Sequence, residues 1–233
     1  MGLSSPQIMI AYDGLTPEVC PPPGCNNLSY NLTSGTFTFN VSHFTTYFIR
    51  ETPGPEETNI SYCRTLSTEN TIYTLNQSIN SSNTCMTVTA NNITIDCAGY
   101  TINYSESTVG HGITISSANR ATIKNCIITQ INATSNSYGI QLSNSPNSLM
   151  ENNTIVTRGF ESSAIKLQLN NDNGTAFRNN ITTLFTNYSN GDWQGASGID
   201  LGENATTNHH ANITGNILRT TQSAINLWSS FNI

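Results

Sequence analysis

From Cys85 onward the chain repeats itself, and a repeat of this length leaves few folds open. Five short runs share one pattern, a small residue followed by aliphatic, polar, aliphatic: Gly112-Ile113-Thr114-Ile115, Gly139-Ile140-Gln141-Leu142, Ala164-Ile165-Lys166-Leu167, Gly198-Ile199-Asp200-Leu201 and Ala224-Ile225-Asn226-Leu227. A second series follows the first four: Ile123-Lys124-Asn125-Cys126, Met150-Glu151-Asn152-Asn153, Phe177-Arg178-Asn179-Asn180 and Ile213-Thr214-Gly215-Asn216, with Ile95-Asp96-Cys97 as an earlier, imperfect copy. Both series recur at roughly 25 to 28 residues, the range in which self-similarity means a solenoid rather than separate folds. The step from Ala164 to Gly198 is longer by about eight residues yet stays in phase, as a loop inserted into one coil does.

Stacked coils convert the repeats into columns along one axis, because neighbouring strands lie about 4.8 Å apart. Ile113, Ile140, Ile165, Ile199 and Ile225 form one interior column, with Ile115, Leu142, Leu167, Leu201 and Leu227 beside it. Ile95, Ile123, Met150, Phe177 and Ile213 are expected to form another. The residues that follow, Asp96, Lys124, Glu151, Arg178 and Thr214, read as an outward ladder of alternating charge. Exposed pairs of this kind add about 0.2 to 1 kcal/mol each. Cys126, Asn153, Asn180 and Asn216 are expected at a bend, where stacked amides hydrogen-bond along the axis. That places Asn180 in a structural role although it opens the sequon Asn180-Ile181-Thr182.

Composition narrows the setting. Only 9% of the 233 residues are charged and the net charge is -6, which disfavours a sequence-independent hold on nucleic acid. Asn, Ser and Thr make up roughly two-fifths of the chain, a bias compatible with disorder were it not for the periodic aliphatics. No apolar run reaches the length of a membrane span, so no direct insertion is expected, and the first residues lack the pattern of a signal peptide.

Export is inferred instead from cysteines and sequons. The 6 cysteines are Cys20, Cys25, Cys63, Cys85, Cys97 and Cys126, an even number with no Cys-x-x-Cys pair. That reads as disulfides rather than a zinc or redox centre, and no metal or cofactor is expected. Local pairing joins Cys20 with Cys25, Cys63 with Cys85 and Cys97 with Cys126, one of many possible connectivities. About fifteen Asn-x-Ser/Thr sequons occur. Asn27, Asn31, Asn40, Asn59, Asn76, Asn80, Asn103, Asn132, Asn173, Asn187 and Asn204 are the candidate glycan acceptors. An extracellular or cell-surface location follows as the expectation.

Residues 1–57 have a different texture. Thr36-Phe37-Thr38-Phe39-Asn40-Val41-Ser42 alternates as a half-buried strand, His43 to Ile49 continues it as a second strand or a bend, and Glu51 to Glu57 reads as a linker. One or two strands do not make an independent sheet, so this segment is expected to need the solenoid or another chain to pack on. The expected division is therefore 1–57, an extended strand-containing segment, and 58–233, the solenoid.

The stretch from Cys63 through Tyr73-Thr74-Leu75, Cys85-Met86-Thr87-Val88 and Asn92-Ile93-Thr94-Ile95-Asp96-Cys97 to Ile102 resembles the opening of right-handed parallel β-helix proteins. It is similar to the pectate-lyase-like superfamily, in particular the NosD-like and archaeal surface-protein branches, over residues 62–233. Phe37 to Ile49 bears a short likeness to closing strands of β-sandwich repeats in archaeal and bacterial surface proteins. The resemblance implies an all-β fold, a right-handed parallel β-helix, but not one function, since the superfamily holds lyases, hydrolases, adhesins and scaffolds.

It also implies where an active site would sit, on the first parallel strand of each coil. Its polar column reads Thr114, Gln141, Lys166, Asp200, Asn226. Lys166 and Asp200 are expected to be neighbours, with Glu203 one turn on and Asp172 and Asp192 on the inserted coil. Paired carboxylates serve a glycosidase, and several acidic groups hold Ca²⁺ for a lyase. Yet no Asp-Asp pair or second basic residue stands beside Lys166. Tyr188 and Trp193, on the inserted loop, are candidates for stacking on sugar rings. His111 reads as a coil-corner residue rather than a general base, and His209-His210 as a loop pair rather than a metal site.

The leading expectation is a non-enzymatic structural or adhesive module that contacts glycans or copies of itself. Leu227 to Ile233 stops within a coil, so either the chain continues or another subunit covers that edge and builds a fibre. The alternative is a polysaccharide lyase or glycoside hydrolase using Lys166, Asp200 and Glu203.

Overall fold

The computed structural model describes residues 6–11, 18–20, 25–31, 36–42, 46–51, 56–184, 196–202 and 210–227. The chain divides into two compact units, Met1–Gly54 and Pro55–Ile233. The first holds more sheet than alternation alone suggested. An antiparallel three-stranded sheet is formed by Pro6–Ala11, Glu18–Val19 and Thr46–Glu51, and a hairpin by Cys25–Asn31 and Thr36–Val41. Ile8, Ile10, Cys20 and Cys25 form its small core, against which Phe39, Tyr47 and Ile49 pack. This unit therefore has its own sheet and core, contrary to the expectation of one or two strands in search of a partner.

The second unit is a parallel β-solenoid of three faces. Face A stacks Thr65–Leu66, Met86–Val88, Ile113–Ser116, Ile140–Ser143, Ile165–Gln168, Ile199–Leu201 and Ile225–Leu227. Face B stacks Glu56–Ile60, Thr71–Leu75, Thr94–Asp96, Thr122–Lys124, Leu149–Glu151, Thr175–Phe177 and Asn212–Thr214. Face C stacks Ile79–Asn80, Thr101–Tyr104, Ile127–Gln130, Thr154–Thr157, Asn180–Thr183 and Ile217–Arg219. Glu56 and Glu57, read as linker from composition, lie in a face B strand, where Glu57 is the partner of Ile72.

The face A columns stand as expected, with Ile113, Ile140, Ile165, Ile199 and Ile225 in register and Met86 ahead of them. Small residues open these strands because the corner is tight. A Cβ on Gly112 would lie 2.5 Å from both the Gly139 carbonyl oxygen and Ile128 Cγ2. Face C supplies a third interior column that the repeat had not revealed: Ile79, Ile102, Ile128, Ile155, Ile181 and Leu218. Burial of such side chains, about 1.5 to 3 kcal/mol each, is what lets so polar a chain fold.

Face B departs from expectation at one coil. Ile95, Ile123 and Met150 are stacked, but the next residue in file is Ala176, followed by Ile213. Phe177 points outward, in the row Asp96, Lys124, Glu151, Phe177, Thr214, so Arg178 is not part of the charge ladder. The corner explains why Ala176 and not Phe177 is inside. Asn179, not Asn180, takes the stacked amide position: the Asn153 N–H donates to Asn179 Oδ1 at 3.0 Å, and the Asn179 N–H donates to Asn216 Oδ1 at 2.8 Å. Asn179 Nδ2 also reaches the Met150 carbonyl at 2.9 Å. Two residues beyond each ladder position lies the interior aliphatic of face C, as Ile155 follows Asn153, Ile181 follows Asn179 and Leu218 follows Asn216. A ladder at Asn180 would put Thr182 inside and Ile181 in water. Burial of the isoleucine decides the register.

The abundance of asparagine has a second cause. Corners need single residues in the left-handed region, which asparagine tolerates better than most side chains. Asn70, Asn92, Asn147 and Asn173 hold φ of 54 to 58° just ahead of face B strands, and Asn125 and Asn152 hold 56 and 53° at the corner between faces B and C. Arg178 and Gly215 fill that corner in the next coils.

Candidate functional site

The polar column of face A is the place to look for chemistry, and the strands set Gln141, Lys166, Asp200 and Asn226 in one file. Lys166 Nζ lies 3.0 Å from Asp200 Oδ2, with side-chain exposures of 12% and 7%. Asn226 Nδ2 donates to Asp200 Oδ1 at 3.4 Å, a long bond. The expected neighbours are therefore real, and they neutralise each other in a place largely closed to water. Gly202 narrows the space further, since a Cβ there would sit 3.4 Å from Lys166 Cε.

Two residues before these strands runs a second file, and it joins the first. Lys166 Nζ stands 5.1 Å above the Tyr138 ring centroid, within cation–π range. His111 stacks on Tyr138 with ring centroids 5.0 Å apart and planes 3° from parallel. The Tyr138 backbone N–H donates to His111 Nδ1 at 3.0 Å, so that nitrogen serves as an acceptor on a neutral ring. Burial lowers the His111 pKa to about 4. Burial raises the Tyr138 phenol, against the pull of the Lys166 ammonium. His111 is thus at a corner, as expected, where burial favours its neutral form. Tyr138 was not singled out in the sequence, although it falls one coil below Lys166 and one repeat after His111.

Among face A strand residues Asp200 is the single carboxylate. Asp172 lies instead at the corner between faces A and B, where its carbonyl accepts from the Asn147 N–H at 2.8 Å. Glu203, Asp192, Tyr188, Trp193 and His209 fall outside the described residues, and His210 is exposed. Among the described residues no group of three or more His, Cys, Asp or Glu gathers as for a metal ion. A two-carboxylate glycosidase arrangement is therefore not assembled by the described part of this face.

The outward charge ladder of face B is real in its first members. Lys124 Nζ lies 3.4 Å from Asp96 Oδ2, and Asp96 also accepts from Asn125 Nδ2 at 3.0 Å and from the Ala98 N–H at 2.9 Å. Partial burial alone would raise the Asp96 pKa, but these hydrogen bonds and the Lys124 charge together hold it below the ordinary value.

All three expected disulfides are present: Cys20 with Cys25, Cys63 with Cys85, and Cys97 with Cys126. Such bonds belong to a non-reducing setting. Of the candidate acceptors, Asn31, Asn40, Asn59, Asn76, Asn80, Asn132 and Asn173 are exposed and Asn103 is half-buried. Asn27 lies in the strand Cys25–Asn31, while Asn187 and Asn204 fall outside the described residues. No helix among the described residues is long and apolar enough to cross a membrane. Comparisons with protein-family models, curated proteins and solved structures find no match to this chain.

Proposed function

We propose that this protein is a non-enzymatic structural or adhesive module of an extracytoplasmic surface, contacting glycans or copies of itself along its faces. The observation that carries this reading is the Lys166–Asp200 pair. On the face where catalysis would be expected, the cation and the carboxylate are joined at 3.0 Å and nearly shut from water, so neither stands ready as acid, base or cation for a substrate. Disulfides and exposed sequon asparagines support export. The resemblance to the pectate-lyase-like superfamily, and to its NosD-like and archaeal surface-protein branches, supports the same setting.

An activity screen on acidic and neutral polysaccharides tests the reading. No turnover by the native protein is the expected result. Turnover that disappears in Asp200→Ala, with the fold intact, would establish the lyase or hydrolase alternative built on Lys166, Asp200 and Glu203.

A further inference from the structure

We infer that Asn180 is an N-glycan acceptor and that the sugar it carries covers the exposed apolar surface of the neighbouring coil. The inference rests on the export reading above. The regular pairing of this coil with its neighbours gives the buried ladder position to Asn179, which is 1% exposed, and leaves Asn180 on the outward side of face C. Asn180 and Thr182 are two apart in one strand and share that outward side, while Ile181 and Thr183 are buried between and beyond them. Both groups of the sequon thus face water. Arg219 Nη1 donates to Asn180 Oδ1 at 2.9 Å, holding the side chain by the oxygen, which glycosylation leaves in place.

The cross-strand partner of Asn180 is Ile217, which is 54% exposed. Adjacent strands are about 4.8 Å apart, so the first sugar on Asn180 would lie over that side chain and remove an apolar spot from water. The same proximity recurs elsewhere: Val41, 42% exposed, is the middle residue of the Asn40 sequon, and Ile131, 41% exposed, precedes Asn132. The transfer uses a polyprenol phosphate- or pyrophosphate-linked oligosaccharide as donor. The bond from Asn180 Nδ2 to the sugar C1 forms, the C1–O bond to the lipid phosphate breaks, Nδ2 loses one proton, and the lipid phosphate leaves with the electron pair. Transfer to the chain before its coils close meets no steric bar afterwards, because the folded coil points the product into solvent.

The test is peptide mass spectrometry on the protein isolated from the cells that make it, alongside Thr182→Ala made in the same cells. The expected result is a glycan on the peptide holding Asn180, lost in Thr182→Ala, with stronger retention of that variant on a hydrophobic resin and an unchanged circular dichroism spectrum. A bare Asn180 in molecules glycosylated at other sequons would overturn the inference and leave the export reading standing. Absence of glycan at every sequon would overturn both. Loss of the glycan without any change in retention would overturn the claim that it covers Ile217.

Discussion

Single residues reveal where this fold is strained and where it is sensitive to acid. Leu169 holds φ 59° at a corner and is 39% exposed, whereas the preceding coil has Asn144 at φ 50° in the corresponding place. A left-handed conformation costs an ordinary side chain about 1 to 2 kcal/mol. Leu169→Asn should therefore raise stability by about 1 kcal/mol, read as a higher denaturant midpoint. His111 behaves in the opposite sense. Its folded pKa of about 4 lies below the ordinary 6.5, so the unfolded chain binds the proton first. The stability it contributes is complete above pH 6.5 and is lost as pH falls from there through about 4. A loss on the order of 2 kcal/mol across that window is expected, and His111→Gln should flatten the slope in denaturant titrations.

At the scale of elements, the sequence disclosed columns better than corners. Faces A and B were legible because a small-aliphatic-polar-aliphatic run survives in five coils and a strand has only two sides. Face C was missed because its interior member is one aliphatic per coil, as in Ile155 or Ile181, among Thr and Asn that carry no periodic signal. Phe177 reads as interior when Asn179-Asn180 is aligned with Asn152-Asn153, whereas the aliphatic two residues beyond the ladder selects Asn179. Of the candidate site, the Lys166–Asp200 contact was legible from register alone. Its burial and its link to Tyr138 and His111 were not, because they depend on how the corner folds back onto face A. The charge ladder remains testable: Lys124→Glu sets a like charge between Asp96 and Glu151. A loss of about 0.5 to 1 kcal/mol at low salt, shrinking at high salt, is expected in chemical denaturation.

Over the whole solenoid, two different devices hold neighbouring coils together. The disulfides Cys63–Cys85 and Cys97–Cys126 staple the first three coils, and from Cys126 onward the stacked amides of Asn153, Asn179 and Asn216 continue the same corner. Because each coil touches only its neighbours, stability is close to a sum of local terms. Reduction should thus lower stability by about 3 kcal/mol per bond, and hydrogen exchange should quicken first between residues 63 and 126 rather than in the amide-stacked coils. The role of each side chain, inward or outward, ladder or acceptor, follows from one register. The direct measurement is the denaturation midpoint of Asn179→Ala against Asn180→Ala. The expected loss is about 2 to 4 kcal/mol for the first, which strands buried hydrogen-bond partners, and less than about 0.5 kcal/mol for the second. Equal losses, or a larger loss at Asn180, would rule this register out.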